Sequence, residues 1–446
     1  MKRSPTIAPR FLVVLLVVLL WGAASPIVLY SAQPQVDIPI EDFDSLPHSS
    51  FDRFCRKMAA GDSLVRIAFL GDSFVEADIL TADLRELFQT KYGGCGAGFA
   101  PMATPLTRYR PTIKSAWEGW SAHNIMQYNR TEEPAKSRFP FSGWISRPTN
   151  GVSITWSATS ARQHLDSCHV ARLHFISRSN ARLEVSVNEQ KPQSYIFEAS
   201  EQLQEIVVED PAISSLTLRV VSGAQGFLGY GVVFEGDSGV VLDNYSVRSN
   251  NGRAMLWSSP EINSQIDEAV GGYDMVILQY GLNIMQSGVV HYTNYGAQVE
   301  LMIAFARECF PAAAIVVMGV SDRWVKENGE YRQMIAESTA LTSYQREAAQ
   351  NQGVCFWNTC AAMASQGGMK CFVEQGLAAK DHTHINAKGG AKIAQMLFAA
   401  VDKEVENQRR YIIRRVDHEP LLDYEQREKI EKSLQNAYAI EEYDAE

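Results

Sequence analysis

The chain has no surplus of positive charge. Its 41 lysine and arginine residues face 51 aspartates and glutamates, a formal charge of -10. Nucleic acid and anionic lipid are thereby excluded as main partners, since both require a basic face. None of the seven scattered cysteines forms a Cys-x-x-Cys pair, which argues against a zinc or thioredoxin-like role. Cys355, Cys360 and Cys371 are near enough in sequence to pair in an oxidising compartment. Internal repeats are absent too.

What is present is globular: 46% hydrophobic and 21% charged residues over 446 positions, more than one ordinary domain holds. Lys2, Arg3 and Arg10 precede the uncharged, mostly apolar run Phe11–Tyr30. About 20 such residues are enough to span a bilayer as a helix, with the flanking cations kept on the cytoplasmic side. A signal peptide cleaved near Gly22-Ala23-Ala24 is the alternative, but the run exceeds a usual signal core and favours an anchor. Either segment exports the rest to the periplasm or cell envelope. No cysteine follows at a lipid-attachment position.

Residues 1–34 are therefore read as anchor or signal, and the Pro-, Ser- and Asp-rich stretch 35–60 as a linker. From Leu64, "LVRIAFL" predicts a strand, and Leu80, Leu84, Leu87 and Phe88 share one face of the helix that follows. The same rhythm returns late, in "YDMVILQYG", "AAAIVVMGV" and "GVCFWNT", each followed by a helical pattern. Apolar strands alternating with helices predict a parallel sheet covered on both faces. Between them, short alternating strands such as "VARLHFIS" and "SLTLRVVS" predict a β-sandwich or jelly roll. The expected order is one α/β domain over 61–110 and 245–403, a sandwich inserted at 111–244, and a charged, partly helical tail from 404 to 446. Tyr109, Trp117, Trp120, Trp144 and Trp156 cluster at the start of the insert, where core packing is the usual fate of an aromatic.

Gly-Asp-Ser occurs three times, ending at Ser63, Ser73 and Ser238. Ser63 lies in a turn before the first strand, and Gly236-Asp237-Ser238-Gly239 reads as a hairpin connection. Ser73 alone follows a buried strand and precedes an amphipathic helix, at the carboxyl edge where open α/β sheets bind ligands. A serine nucleophile needs a base and an orienting carboxylate. "DHTHIN" supplies Asp381 and His384 from one loop just before the last helix. His382 beside them raises a metal reading, for which no third ligand stands at a recognisable spacing. Asn283, directly after "VILQYGL", and the Gly252 N–H, or a glycine of "GGCGAGF", are candidate donors to a developing oxyanion.

Taken in order, Ser73, Gly252, Asn283 and Asp381/His384 resemble the four blocks of the SGNH/GDSL hydrolases. One departure stands out: Ile284 occupies the position after the asparagine, where that family usually has aspartate. The resemblance covers about 64–109 and 245–401. It implies a three-layer flavodoxin-like parallel sheet, a Ser73-His384-Asp381 triad, an oxyanion hole of Ser73, Gly252 and Asn283, and no cofactor. The inserted sandwich, "YGGCGAGFAPM" and "QYGLN" are similar to the peptidoglycan O-acetylesterase branch, which implies an acetylated glycan as substrate. An O-acetyltransferase using the same triad, or a non-catalytic glycan-binding envelope protein, fits the sequence as well.

Overall fold

The computed structural model describes residues 37–45 and 48–417. The expected segment Phe11–Tyr30 and the end of the tail lie outside these residues. Among the described residues no helix is long and apolar enough to cross a membrane.

The first sheet contains β1 (Glu41–Asp42), β2 (Val65–Gly71), β3 (Val240–Ser246), β4 (Met275–Gln279), β5 (Ala314–Met318) and β6 (Cys355–Trp357), in the order β1-β6-β5-β4-β2-β3. Strands β2 to β6 are parallel and β1 is antiparallel to β6. Counted in chain order, the five parallel strands lie 2-1-3-4-5, the flavodoxin-like order, with its switch point between β2 and β4. Every residue of β2, β4 and β5 is buried, as two-sided helical cover requires.

On one side, α1 (Ser50–Ala60) and α2 (Thr81–Tyr92) pack against the last helix. On the other, α3 (Pro260–Ala269), α4 (Thr293–Cys309) and α5 (Ile335–Asn351) pack side by side. Two short helices, α6 (Thr359–Ala364) and α7 (Gly368–Glu374), lead to the long α8 (Ala387–Asp417).

Helix α1 replaces part of the expected linker. Ser49 caps it by accepting from the Asp52 N–H, and Gly61 ends it in the left-handed region. Phe51, Phe54, Cys55 and Met58 bury one face in the core, and large apolar side chains contribute about 1.5–3 kcal/mol each when buried. Ser63 follows this helix in the turn before β2.

The insert is a two-sheet sandwich with its own core, which includes Trp156, Leu173, Phe175 and Leu218. Its limits differ from the expected 111–244. Gly98–Pro101 already pairs with the sandwich strand Phe227–Glu235, while Val240–Ser246 lies parallel to β2 in the first sheet. The link 236–239 that carries Ser238 therefore crosses between the two layers and is no hairpin. All seven cysteines are free, so the Cys355, Cys360 and Cys371 pairing expected as feasible is not made.

Candidate active site

Strand β2 ends at Gly71, and the chain turns at once. The Asp72 carbonyl accepts from the Val75 and Glu76 N–H groups at 3.2 and 3.1 Å, while its Oδ1 accepts from the Phe74 N–H at 2.9 Å. Asp72 is fully buried. Burial pushes its carboxyl up to about 7, against the pull of the Phe74 N–H, the nearby His384 charge and the Asn283 amide. Ser73, half-buried at the tip of this turn, has neither its N–H nor its hydroxyl bonded to another described residue.

The segment beyond is held firmly. Ala77 (φ 55°) and Asp78 (φ 62°) are left-handed, a strained conformation for residues other than glycine. The buried Asp78 carboxylate takes hydrogen bonds from Arg110 (2.8 Å), Thr81 (2.7 Å), Asn244 (2.9 Å) and Thr112. Desolvation raises this carboxyl, but Arg110 and Arg85 outweigh it and keep it well below the ordinary range.

Asp381 and His384 share the loop before α8. Asp381 Oδ1 accepts from the N–H groups of Thr383 (2.9 Å) and His384 (3.0 Å), and its Oδ2 lies 2.8 Å from His384 Nδ1. Partial burial raises the Asp381 carboxyl, yet the His384 ring and these two N–H groups more than offset it and hold it low. A carboxylate on Nδ1 fixes the neutral ring with its proton there and leaves Nε2 as a free base. Close approach by α8 brings this loop to the Ser73 segment. A Cβ on Gly390 would meet the Ile79 carbonyl oxygen at 1.9 Å, and one on Gly389 the Leu377 oxygen at 2.1 Å. Only glycine lets the helix start seat there. Among the described residues no hydrogen bond joins Ser73 to His384; such contacts tighten in the substrate complex.

Asn283 follows β4, on the other side of the switch point. Its amide nitrogen donates to Asp72 Oδ2 and to the Asn250 carbonyl, both at 3.0 Å. It thus braces the Ser73 turn against the loop after β3. Gly252 belongs to that loop but differs from expectation: its N–H donates at 2.9 Å to Asn250 Oδ1, which also accepts from the Ala254 N–H. The N–H is turned into the loop rather than toward an oxyanion. Gly252 is required for another reason, since at φ 92° a Cβ would meet Met302 Sδ at 2.1 Å. On the same loop Ser249 is left-handed (φ 60°) and exposed, and its N–H has no partner among the described residues.

Asn250 and Asp72 were missed as site residues. The Asn-Asn-Gly stretch carried a signal, because an asparagine two residues before a glycine commonly accepts a local backbone N–H. His382, the metal alternative, has its ring between Trp324 and Tyr331, at 5.7 and 4.1 Å between centroids. Among the described residues no three His, Cys, Asp or Glu side chains are grouped to hold a metal.

Fold and site together describe an α/β chain that places Ser73 at the switch point of a flavodoxin-like sheet and an Asp381–His384 pair in the loop before its last helix. This architecture is shared with a solved peptidoglycan O-acetylesterase, over 82% of this chain and 99% of that one, at TM-score 0.67 and 20% identity. At that identity the likeness establishes the fold: the parallel sheet with its inserted sandwich that the SGNH/GDSL resemblance implied. A family two carbohydrate esterase from Cellvibrio japonicus matches 66% of this chain and 98% of its own at TM-score 0.27 and 9% identity. A GDSL-like lipase from Parabacteroides merdae matches 36% and 73% at TM-score 0.29 and 13% identity. No protein-family model matches the sequence. No curated protein matches it significantly either.

Proposed function

We propose that the protein is an exported serine esterase that removes O-acetyl groups from a cell-envelope or dietary polysaccharide, with acetylated peptidoglycan the first substrate to test. The observation that carries this is the Asp381–His384 pair, docked by α8 against the segment that presents an unbonded Ser73 hydroxyl. His384 Nε2 takes the Ser73 proton as the oxygen attacks the acetyl carbonyl. The Ser73 N–H, unengaged among the described residues, and the Asn283 amide stabilise the oxyanion; Asn283 shares a proton now given to Asp72 or Asn250. His384 then protonates the departing sugar oxygen, freeing the hydroxyl, and water releases acetate from Ser73 by the reverse proton path. No step needs a cofactor.

The open surface supports a polymer substrate. The side chains of His384 and Asp381 are 48% and 51% exposed, as suits a glycan chain lying across the site. Export is supported by the cationic start and apolar run at the N-terminus. The test is acetate release from a panel of O-acetylated glycans, peptidoglycan and xylan among them. The protein should release acetate from at least one and Ser73→Ala from none, with its fold unchanged. Equal release by Ser73→Ala would end the proposal, and acetylated product in place of free acetate would make the enzyme a transferase.

A further inference from the structure

Between β5 and α5 the chain makes a two-stranded hairpin, Trp324–Glu327 paired with Glu330–Gln333, that the sheet does not need. It leans on the loop that carries Asp381 and His384. The Trp324 N–H donates to the His382 carbonyl at 3.0 Å, and the Tyr331 hydroxyl donates to the Lys380 carbonyl at 2.8 Å. The rings of both aromatics flank the His382 ring, tilted from it by 35° and 34°.

His382 is left-handed, at φ 54°. It is the corner between Asp381 and His384. If it relaxed to an ordinary backbone conformation, the Thr383 and His384 N–H groups would swing away from the Asp381 carboxylate they now share. Part of the hold is local, since the His382 N–H donates to the Ala379 carbonyl at 3.1 Å and the Ala379 N–H to the His384 carbonyl at 2.7 Å, and the hairpin adds a grip from outside the loop. The hairpin is rigid enough to do so. Arg332 bonds Glu327 at 3.0 Å and Glu337 at 2.8 Å, and Glu337 also accepts from the Gly288 N–H at 2.8 Å. Arg323, at the hairpin's foot, donates to the Leu282 and Met285 carbonyls at 3.3 and 3.0 Å, on either side of Asn283. The grip on the histidine loop and the brace on the asparagine loop therefore share one frame.

We propose that Trp324 and Tyr331 are positioning residues that, by gripping His382, hold the Asp381–His384 pair in the one orientation that serves Ser73. This rests on the esterase reading, but one of its readouts does not depend on activity. The proton between His384 Nδ1 and Asp381 gives a low-field NMR resonance, assigned in the full chain by its loss in Asp381→Asn. In Tyr331→Ala this resonance should broaden or disappear, while circular dichroism and the melting curve stay close to wild type. On the acetylated glycan, kcat should fall about tenfold or more with KM within about twofold. Tyr331→Phe keeps the ring and loses only the bond to the Lys380 carbonyl, and it should restore the resonance and most of kcat. Trp324→Ala, which removes the other ring against His382 but keeps the backbone N–H bond to the His382 carbonyl, should behave like Tyr331→Ala and serves in its place if that variant does not fold. An unchanged resonance in Tyr331→Ala, or in Trp324→Ala if Tyr331→Ala does not fold, or a Tyr331→Phe as impaired as Tyr331→Ala, overturns the proposal. If no glycan is hydrolysed, the esterase reading fails by itself and the resonance still decides this one.

Discussion

Asp72 links chemistry to folding at the scale of a single residue. Unfolded, its carboxyl releases a proton near 3.8; folded, near 7. Between those values the folded state holds the extra proton, so raising the pH lowers its stability. Asp267, pushed up by burial to about 6, acts in the same sense. The slope of unfolding free energy from pH 4 to 7 should therefore be less negative in Asp72→Asn than in wild type, as urea titrations at several pH values would record. Identical slopes would mean that Asp72 does not titrate there. On the esterase proposal, Asn283→Ala removes an oxyanion donor as well as the strut between Asp72 and Asn250, and turnover should fall about 10²–10³-fold. A loss smaller than tenfold, read as initial acetate release, would leave Asn283 with bracing alone. The placement of Ser73 and Asn283 after β2 and β4, and of Asp381 beside His384 in one loop, was legible from the strand runs and the three-residue spacing. Gly252 was misread because a positive φ and a free N–H look the same in sequence.

Among elements, the start of α8 matters most. Gly390→Ala forces a methyl group onto the Ile79 carbonyl, and overpacking of this kind costs about 1–3 kcal/mol. The variant should melt lower, and its kcat should drop further than its KM rises, because the base is pushed away from the nucleophile. An unchanged kcat would show that this contact does not set their distance. The parallel strands were legible from their apolar runs. The hairpin after β5 was not, although Asn328-Gly329, both left-handed, is a strong two-residue turn signal. A helical pattern was expected after that strand, and the hairpin's second strand, with Tyr331 and Arg332, runs straight into it. Helix α1 was hidden by the polar, proline-containing stretch before it.

Across the whole molecule, sandwich and sheet are tied by buried charge. Arg66 of β2 meets Glu235 of the sandwich in a two-pronged pair at 2.6 and 2.7 Å, and Arg172 joins the same carboxylate at 2.8 Å. Removing one partner of a buried pair costs about 3–5 kcal/mol. Glu235→Ala should lose that much in urea, with probes in the sheet and the sandwich moving together; separate transitions would mean independently stable parts. The insertion was legible because the apolar period switches from helix to strand and back. Its far boundary was not, since Val240–Ser246 follows the last sandwich strand across a short Gly-Asp-Ser-Gly link and only its parallel pairing with β2 distinguishes it. The predictions about turnover presuppose a working nucleophile at the switch point. The most direct measurement is the intact mass of the protein after incubation with a fluorophosphonate. One adduct on Ser73, absent from Ser73→Ala and slowed in His384→Ala, is the predicted result; no adduct, or one that persists in Ser73→Ala, contradicts it.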